Sequence, residues 1–357
     1  MRKQRLFPPR KQPLFYSFSM RSSQILIDFP LLFLHNRGKT TGKGSSMRYY
    51  LAPMEGITDS IYRRLHHKHF SGVDAYFMPF FSPTMHRTLT HREERELPLA
   101  DTLKLKAVPQ VLTKNAQDFL WAAPNCADRG YDQVNLNIGC PSGTGGSKGK
   151  GSGMLRRAEE LDAFLEEIFS GSVLPISIKT RLGLKDAEEF PRLLEVLNRY
   201  PVLELTVHPR VREDFYRGEV RTQWFDYART HSKNPLCYNG DILTREQADG
   251  ICGVEAVMIG RAMIADPGLL CGGSTRQQLK AFLEELLEAY VEGFGSERNA
   301  MFRMKENWGF LRCRFDGSDK LWKQLRKTTD CREFRSLTAQ ILDTLPLASS
   351  PNPLWQK

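Results

Sequence analysis

Cys140 stands in Asn135-Leu-Asn-Ile-Gly-Cys-Pro-Ser, between Gly139 and Pro141 and just beyond an apolar run. Gly and Pro punctuate a loop rather than a core. The thiol is therefore expected at the tip of a buried strand, held rigidly and able to react. The other six cysteines, at 126, 237, 252, 271, 313 and 331, read as small core hydrophobes. Their odd total and the lack of any Cys-x-x-Cys suggest neither a disulfide framework nor a zinc site. No metal is expected, and a reducing cytoplasm fits this usage. After Cys140 the chain runs Gly143-Thr-Gly-Gly-Ser-Lys-Gly-Lys-Gly-Ser-Gly, six glycines and two lysines in eleven residues. This is either a linker or a cationic lid that closes on phosphate.

Further polar residues recur at the ends of later apolar runs. Lys179 would be costly to bury unpaired; it has a carboxylate partner in the core or sits as a cation beside a flavin ring edge. His208, at the end of the next run, is a satisfied core histidine or a ligand. Met258-Ile-Gly260-Arg261 opens a helix, and free N–H groups at such a start bind phosphate. With Asn239-Gly240-Asp241 just upstream, it suggests a cofactor that carries phosphate.

These residues need a scaffold that brings run ends together. From residue 47 the chain alternates candidate strands at 49–53, 75–80, 107–112, 133–137, 175–180, 203–208, 235–239 and 255–259 with amphipathic stretches such as 155–169, 186–200 and 244–252. Runs apolar on both faces suit a parallel sheet. Eight strand–helix units over about 230 residues match a TIM (β/α)8 barrel; a doubly wound sheet is the second choice. The barrel is preferred because its strand ends share one mouth, which collects Met54, Glu55, Gln110, Asn137, Cys140, Lys179, Arg181, His208, Asp241 and Arg261 there. Residues 275–345 carry helix-period stretches at 277–294, 296–312, 319–328 and 331–345, read as a smaller all-α domain. The expected division is an extension at 1–46, a barrel at 47–272, a helical domain at 273–345 and a tail at 346–357.

Composition adds limits. Apolar residues make up 41% and charged residues 26% of the 357, as in globular proteins. No run approaches the roughly 20 apolar residues that cross a bilayer, so no membrane partner is expected. The net charge is +10, but residues 1–46 hold nine Lys or Arg against Asp28; removing their +8 leaves +2 for the rest. Residues 1–46 lack periodicity and a cleavage site, so a signal peptide is a poor match. They read as translated upstream sequence before Met47 or as a basic RNA-binding arm.

Taken together, these segments resemble the dihydrouridine synthase family: Ala52-Pro-Met-Glu-Gly-Ile-Thr-Asp, Val108-Pro-Gln110, Asn137-Ile-Gly-Cys140-Pro-Ser, Ile178-Lys179-Thr-Arg181-Leu-Gly, Val207-His208-Pro-Arg210, Asn239-Gly-Asp241-Ile and Val257-Met-Ile-Gly260-Arg261, in the family's order over residues 47 to about 345. The resemblance implies an oxidoreductase that reduces uridines of the tRNA D-loop, with FMN at the barrel mouth and NADPH as reductant. Pro53, Met54, Glu55, Gln110, Lys179 and His208 would border the flavin ring. Asn239, Gly240, Asp241, Gly260 and Arg261 would hold its phosphate. Cys140 would protonate carbon 5 of the uracil, and a thiol's ordinary pKa of about 8.5 suits that role. Asn137 and Arg181 would hydrogen-bond the target base, while Arg303 and Lys305 in the helical domain would contact tRNA. The segment Arg303–Trp308 looks like the C-type bacterial branch, which modifies position 16; a plain solvated helix face is the other reading. A monomer in the cytoplasm is expected.

Two departures stand out. Gly143 replaces a basic residue common soon after the Cys-Pro pair, and Pro209 removes a backbone N–H. The rival functions are a barrel flavoprotein reducing a small molecule of dihydroorotate type and a non-catalytic tRNA-binding remnant.

Overall fold

The apolar runs become strands because both of their faces are covered. The computed structural model describes residues 46–141 and 149–353. Its strands are β1 Arg48–Leu51, β2 Ala75–Phe77, β3 Ala107–Val108, β4 Gln110–Val111, β5 Val134–Asn137, β6 Ile176–Arg181, β7 Leu205–His208, β8 Leu236–Tyr238 and β9 Ala256–Ile259. They pair in the order β3-β2-β1-β9-β8-β7-β6-β5-β4, every pair parallel.

The ends of that order, β3 and β4, are neighbours in the chain with only Pro109 between them. They are two halves of the one strand expected at 107–112. Proline has no N–H for a ladder, so the strand breaks there. Its first half pairs with β2 and its second with β5. The Pro109 carbonyl still accepts from Asn135 N at 2.9 Å. The sheet thereby closes on itself as the expected TIM barrel, with the third of eight strand positions bent.

Side chains alternate across this sheet. Tyr50, Ala52, Ala75, Phe77, Val108, Cys237, Ala256 and Met258 form a separate buried cluster, while neighbours such as Leu51, Leu136, Ile178 and Ile259 join the larger core with the helices. The register sets Asn137 opposite Lys179 and Arg181 opposite His208, which levels the polar strand ends.

The expected helices form, shortened where tighter turns take over. The stretch at 155–169 becomes a 3₁₀ turn at Gly151–Arg156 and a helix at Ala158–Gly171; that at 186–200 becomes a turn at Ala187–Glu189 and a helix at Phe190–Leu197. Thr244 caps Arg245–Asp249 by accepting from Gln247 N at 3.2 Å.

Four helices follow the barrel, Arg276–Phe294, Glu297–Leu311, Asp319–Lys327 and Cys331–Thr344. The first lays Phe282 edge-on against Tyr62 and Phe70, at 5.7 and 5.3 Å between ring centroids, on and just beyond the barrel helix Ser60–His69. Arg314 pairs with Asp266 at 3.1 Å, both nearly buried. Barrel and helices share one core and one compact unit. Among the described residues no helix is long and apolar enough to cross a membrane. The expectations for residues 1–45, for most of the Gly/Lys-rich loop including Gly143 and Lys148, and for the tail's last four residues lie outside the described residues.

Candidate active site

The strand ends converge on one cleft of about 750 Å³, the size of a site for a cofactor-sized ligand. Pro53, Met54, Glu55, Gln110, Asn137, Cys140, Lys179, Arg181, His208, Asn239, Gly240, Asp241, Gly260 and Arg261 all line it.

Cys140 is held by its backbone. Asn137 Oδ1 accepts from the N–H groups of Gly139 and Cys140, at 3.0 and 2.9 Å. The Cys140 carbonyl accepts from Ser152 Oγ at 2.7 Å and from Ser152 N at 3.2 Å. Arg181 Nε donates to the Gly139 carbonyl at 3.0 Å, and its Nη1 to the Val211 carbonyl at 3.0 Å. Asn137 Nδ2 in turn donates to Gln110 Oε1 at 2.8 Å, and Gln110 Nε2 to Asn135 Oδ1 at 2.8 Å. Asn137 and Arg181, expected to touch substrate, thus first position the thiol's loop. Ser152 was not foreseen, because nothing local in a Gly-Ser-Gly stretch marks which hydroxyl turns inward.

Gly139 is required by a close approach. A Cβ there would meet Thr180 C at 3.1 Å and Cα at 3.3 Å, both backbone atoms of β6. Gly139→Ala is expected to push the Cys140 loop off β6 and to cost about 1–3 kcal/mol. A melting temperature no lower than that of the unaltered protein would show that the loop has room to spare.

The adjoining wall, from β6 onward, carries the basic side chains. Lys179 donates from Nζ to Asn239 Oδ1 at 2.7 Å, and Asn239 Nδ2 donates to the Met258 carbonyl at 2.7 Å. Burial, then repulsion from Arg181, lowers the Lys179 ammonium to a pKa of about 7. An unfolded lysine keeps its proton to about 10.4. Between those values the unfolded chain holds a proton that the folded chain lacks, so this group makes stability rise with pH across that window and adds no slope below it. Lys179→Met should therefore gain most over the unaltered protein near pH 6, and the gain should shrink towards pH 10. Melting curves at both pH values check the sign, and a gap that widened with pH would contradict it.

His208 is held well below the ordinary imidazole pKa by burial and by Arg181, Lys179, Arg210 and Arg261. Arg210 Nη1 lies 3.1 Å from its Nε2. A guanidinium only donates, so Nε2 accepts and the proton of the neutral ring sits on Nδ1.

Asp241, at a positive φ of 39°, is gripped from two sides. Arg210 reaches it at 3.0 and 2.5 Å, and Arg261 at 2.5 Å. The side chains of Asn239 and Asp241 therefore serve Lys179 and the two arginines, and a carboxylate repels phosphate. At 239–241 the backbone, rather than these two engaged side chains, is what remains to meet a phosphate. The phosphate donors that fit are Arg261 with the backbone at Gly240 and Gly260.

Arg303 and Lys305 do not reach the cleft. Arg303 donates to the Gly56 carbonyl and lies 3.6 Å from Asp59; Lys305, 8% exposed, donates to the Thr328 carbonyl. Both residues thus already serve partners within the protein. Residues two apart on a helix point to opposite sides, so they form no single patch and each serves an internal partner. The same helix instead sends Glu306 and Phe310 into the cleft wall. The i, i+4 spacing of Glu306 and Phe310 was the available signal. Phe80, Phe215 and Tyr216 also line the cleft; the Tyr216 ring has the Arg181 and Arg261 guanidiniums 5.2 and 5.3 Å from its centroid.

Fold and cleft together define a class, a TIM-barrel enzyme with a thiol at a cationic mouth. Residues 50–340 match the family model described as dihydrouridine synthase, and the chain belongs to that family. It is 26% identical over 322 residues to a probable tRNA-dihydrouridine synthase 1 of Synechocystis, covering 84% of this chain and 88% of that one. It is 27% identical over 229 residues to a probable tRNA-dihydrouridine synthase of Staphylococcus epidermidis, covering 61% and 69%. To tRNA-dihydrouridine synthase B of Proteus vulgaris it is 29% identical over 223 residues, covering 60% and 67%.

Proposed function

We propose that the chain is a tRNA-dihydrouridine synthase that uses FMN and NADPH to reduce the C5–C6 bond of a D-loop uridine, position 16 being the candidate that the resemblance offers. The observation that carries this reading is the presence of Cys140, Lys179, His208 and Arg261 in one cleft. The donor set fits an anionic cofactor: Lys179, Arg181 and Arg261 face the cleft, against Glu306, Glu55, which pairs with Arg92, and Asp241, which is already bound by two arginines. Arg261 and the Gly240 and Gly260 backbones would hold the phosphate, with Pro53, Met54, Glu55, Gln110, Lys179 and His208 around the ring.

Bound FMN, reduced by NADPH, would supply a hydride for carbon 6 of the uracil. Cys140 gives its thiol proton to carbon 5, and the thiolate is reprotonated from solvent. Asn137 and Arg181 hold the loop that aims the sulfur, and their further N–H groups serve the uracil oxygens. His208 stays neutral and donates from Nδ1. A flipped base costs a few kcal/mol of stacking, which contacts elsewhere on the tRNA must offset; the helices after residue 272 are the surface for that grip. A monomer working in the cytoplasm completes the reading.

The purified protein should show flavin absorbance and release FMN on denaturation, and NADPH should bleach it faster than NADH. Colourless protein that cannot be loaded with FMN would defeat the proposal. Turnover of a small pyrimidine without RNA would favour the dihydroorotate-type alternative.

A further inference from the structure

Phe215 is half exposed, at 50%, lines the cleft, and has φ +52° and ψ −100°. A bulky residue at positive φ is a genuine outlier. Such strain persists only where the surroundings over-determine the backbone, and it clusters where a ligand is clamped.

The loop around it is over-determined. Val211 N donates to Asp214 Oδ2 at 2.9 Å, and Asp214 is paired with Arg221. Phe215 N donates to the Arg212 carbonyl at 3.0 Å, and Arg217 N to the Asp214 carbonyl at 2.8 Å. Arg212 N and Glu213 N donate across to the carbonyls of Gly183 and Leu184, at 2.9 and 3.1 Å. Arg210, fully buried, donates to the Gly218 carbonyl at 2.5 Å. None of these bonds uses the phenyl ring. The loop thus forces an aromatic face to the cleft mouth at a position where glycine would be relaxed.

The flanking residues give the chemistry of the ligand. Tyr216 is next in sequence, with the Arg181 and Arg261 guanidiniums 5.2 and 5.3 Å from its ring centroid. Arg217 is exposed and Arg212 partly so. An unpaired aromatic face among arginines is the arrangement that stacks an unpaired nucleic-acid base while the cations meet its phosphates.

We propose that Phe215 is a stacking platform for an RNA base next to the target uridine, presented by the strained Arg212–Gly218 loop. This rests on the tRNA reading above.

The test uses the full chain loaded with FMN and an unmodified tRNA transcript. Phe215→Gly should lower kcat/KM for tRNA and tRNA affinity about ten- to a hundredfold, the size of one lost base stack. Its melting temperature should equal or exceed that of the unaltered protein, since Gly accepts the left-handed backbone. Phe215→Trp should restore tRNA affinity to within about threefold. A 2-aminopurine beside the target should be quenched by the unaltered protein and not by Phe215→Gly. Unchanged tRNA kinetics in Phe215→Gly would overturn the proposal. So would an equal fall in the rate of FMN reduction by NADPH without tRNA, which would place the ring on the reductant. A lowered melting temperature that Trp does not restore would assign the ring a structural role instead. If the unaltered protein makes no dihydrouridine on the transcript, the tRNA reading itself fails, which is a separate result.

Discussion

Cys140→Ala is expected to lower kcat for dihydrouridine formation by about 10²–10⁴, the usual contribution of a positioned acid. The fold should survive, because Asn137 and Ser152 hold the Cys140 backbone and not its sulfur. FMN retention and FMN reduction by NADPH in the absence of tRNA should both persist, since the proton is needed only at carbon 5. Cys140→Ser should remain slow, a hydroxyl being a much weaker acid than a thiol. Rapid-mixing measurements separate the two half-reactions. Equal losses in both would mean that the thiol supports the flavin pocket rather than the base.

The second large effect is expected at Arg210. Its guanidinium is fully buried and joins three parts of the mouth: His208, Asp241 and the carbonyls of Arg217 and Gly218. Arg210→Met leaves Asp241 to Arg261 alone, removes the donor to His208 Nε2 and unties the loop that carries Phe215 and Tyr216. Breaking a buried charge pair by removing one partner costs about 3–5 kcal/mol. A marked fall in melting temperature should come with weaker FMN binding. Arg210→Lys should rescue little, because an ammonium cannot span those acceptors as a planar fork does. A melting temperature within a degree of the unaltered protein would show that Arg261 suffices.

Much of this architecture was legible in the sequence for a plain reason. Doubly buried strands cannot hide their apolar runs, and the barrel sends the residue after each run to a common mouth. Cys140, Lys179, His208 and Arg261 could therefore be grouped without any contact being visible. Local chemistry also explains the break at Pro109, a missing N–H that the run 107–112 concealed. What stayed hidden is pairing at long range. The hold of Ser152 on Cys140, the crossing of Arg210 to Asp241 and the arrival of Glu306 and Phe310 from a helix some 170 residues past Cys140 depend on packing that no local pattern encodes. The partners that Arg303 and Lys305 find at the Gly56 and Thr328 carbonyls lie equally outside any local pattern.

One thiol, in the same cleft as Lys179, His208 and Arg261, is proposed to complete the reduction of a tRNA uridine. The most direct test is the dihydrouridine content of tRNA from cells lacking this gene, mapped by position after return of the unaltered or the Cys140→Ala chain. The account predicts that one D-loop uridine stays unreduced in the deletion, is restored by the unaltered protein and is not restored by Cys140→Ala. Full restoration by Cys140→Ala, or an unchanged dihydrouridine map in the deletion, would contradict it.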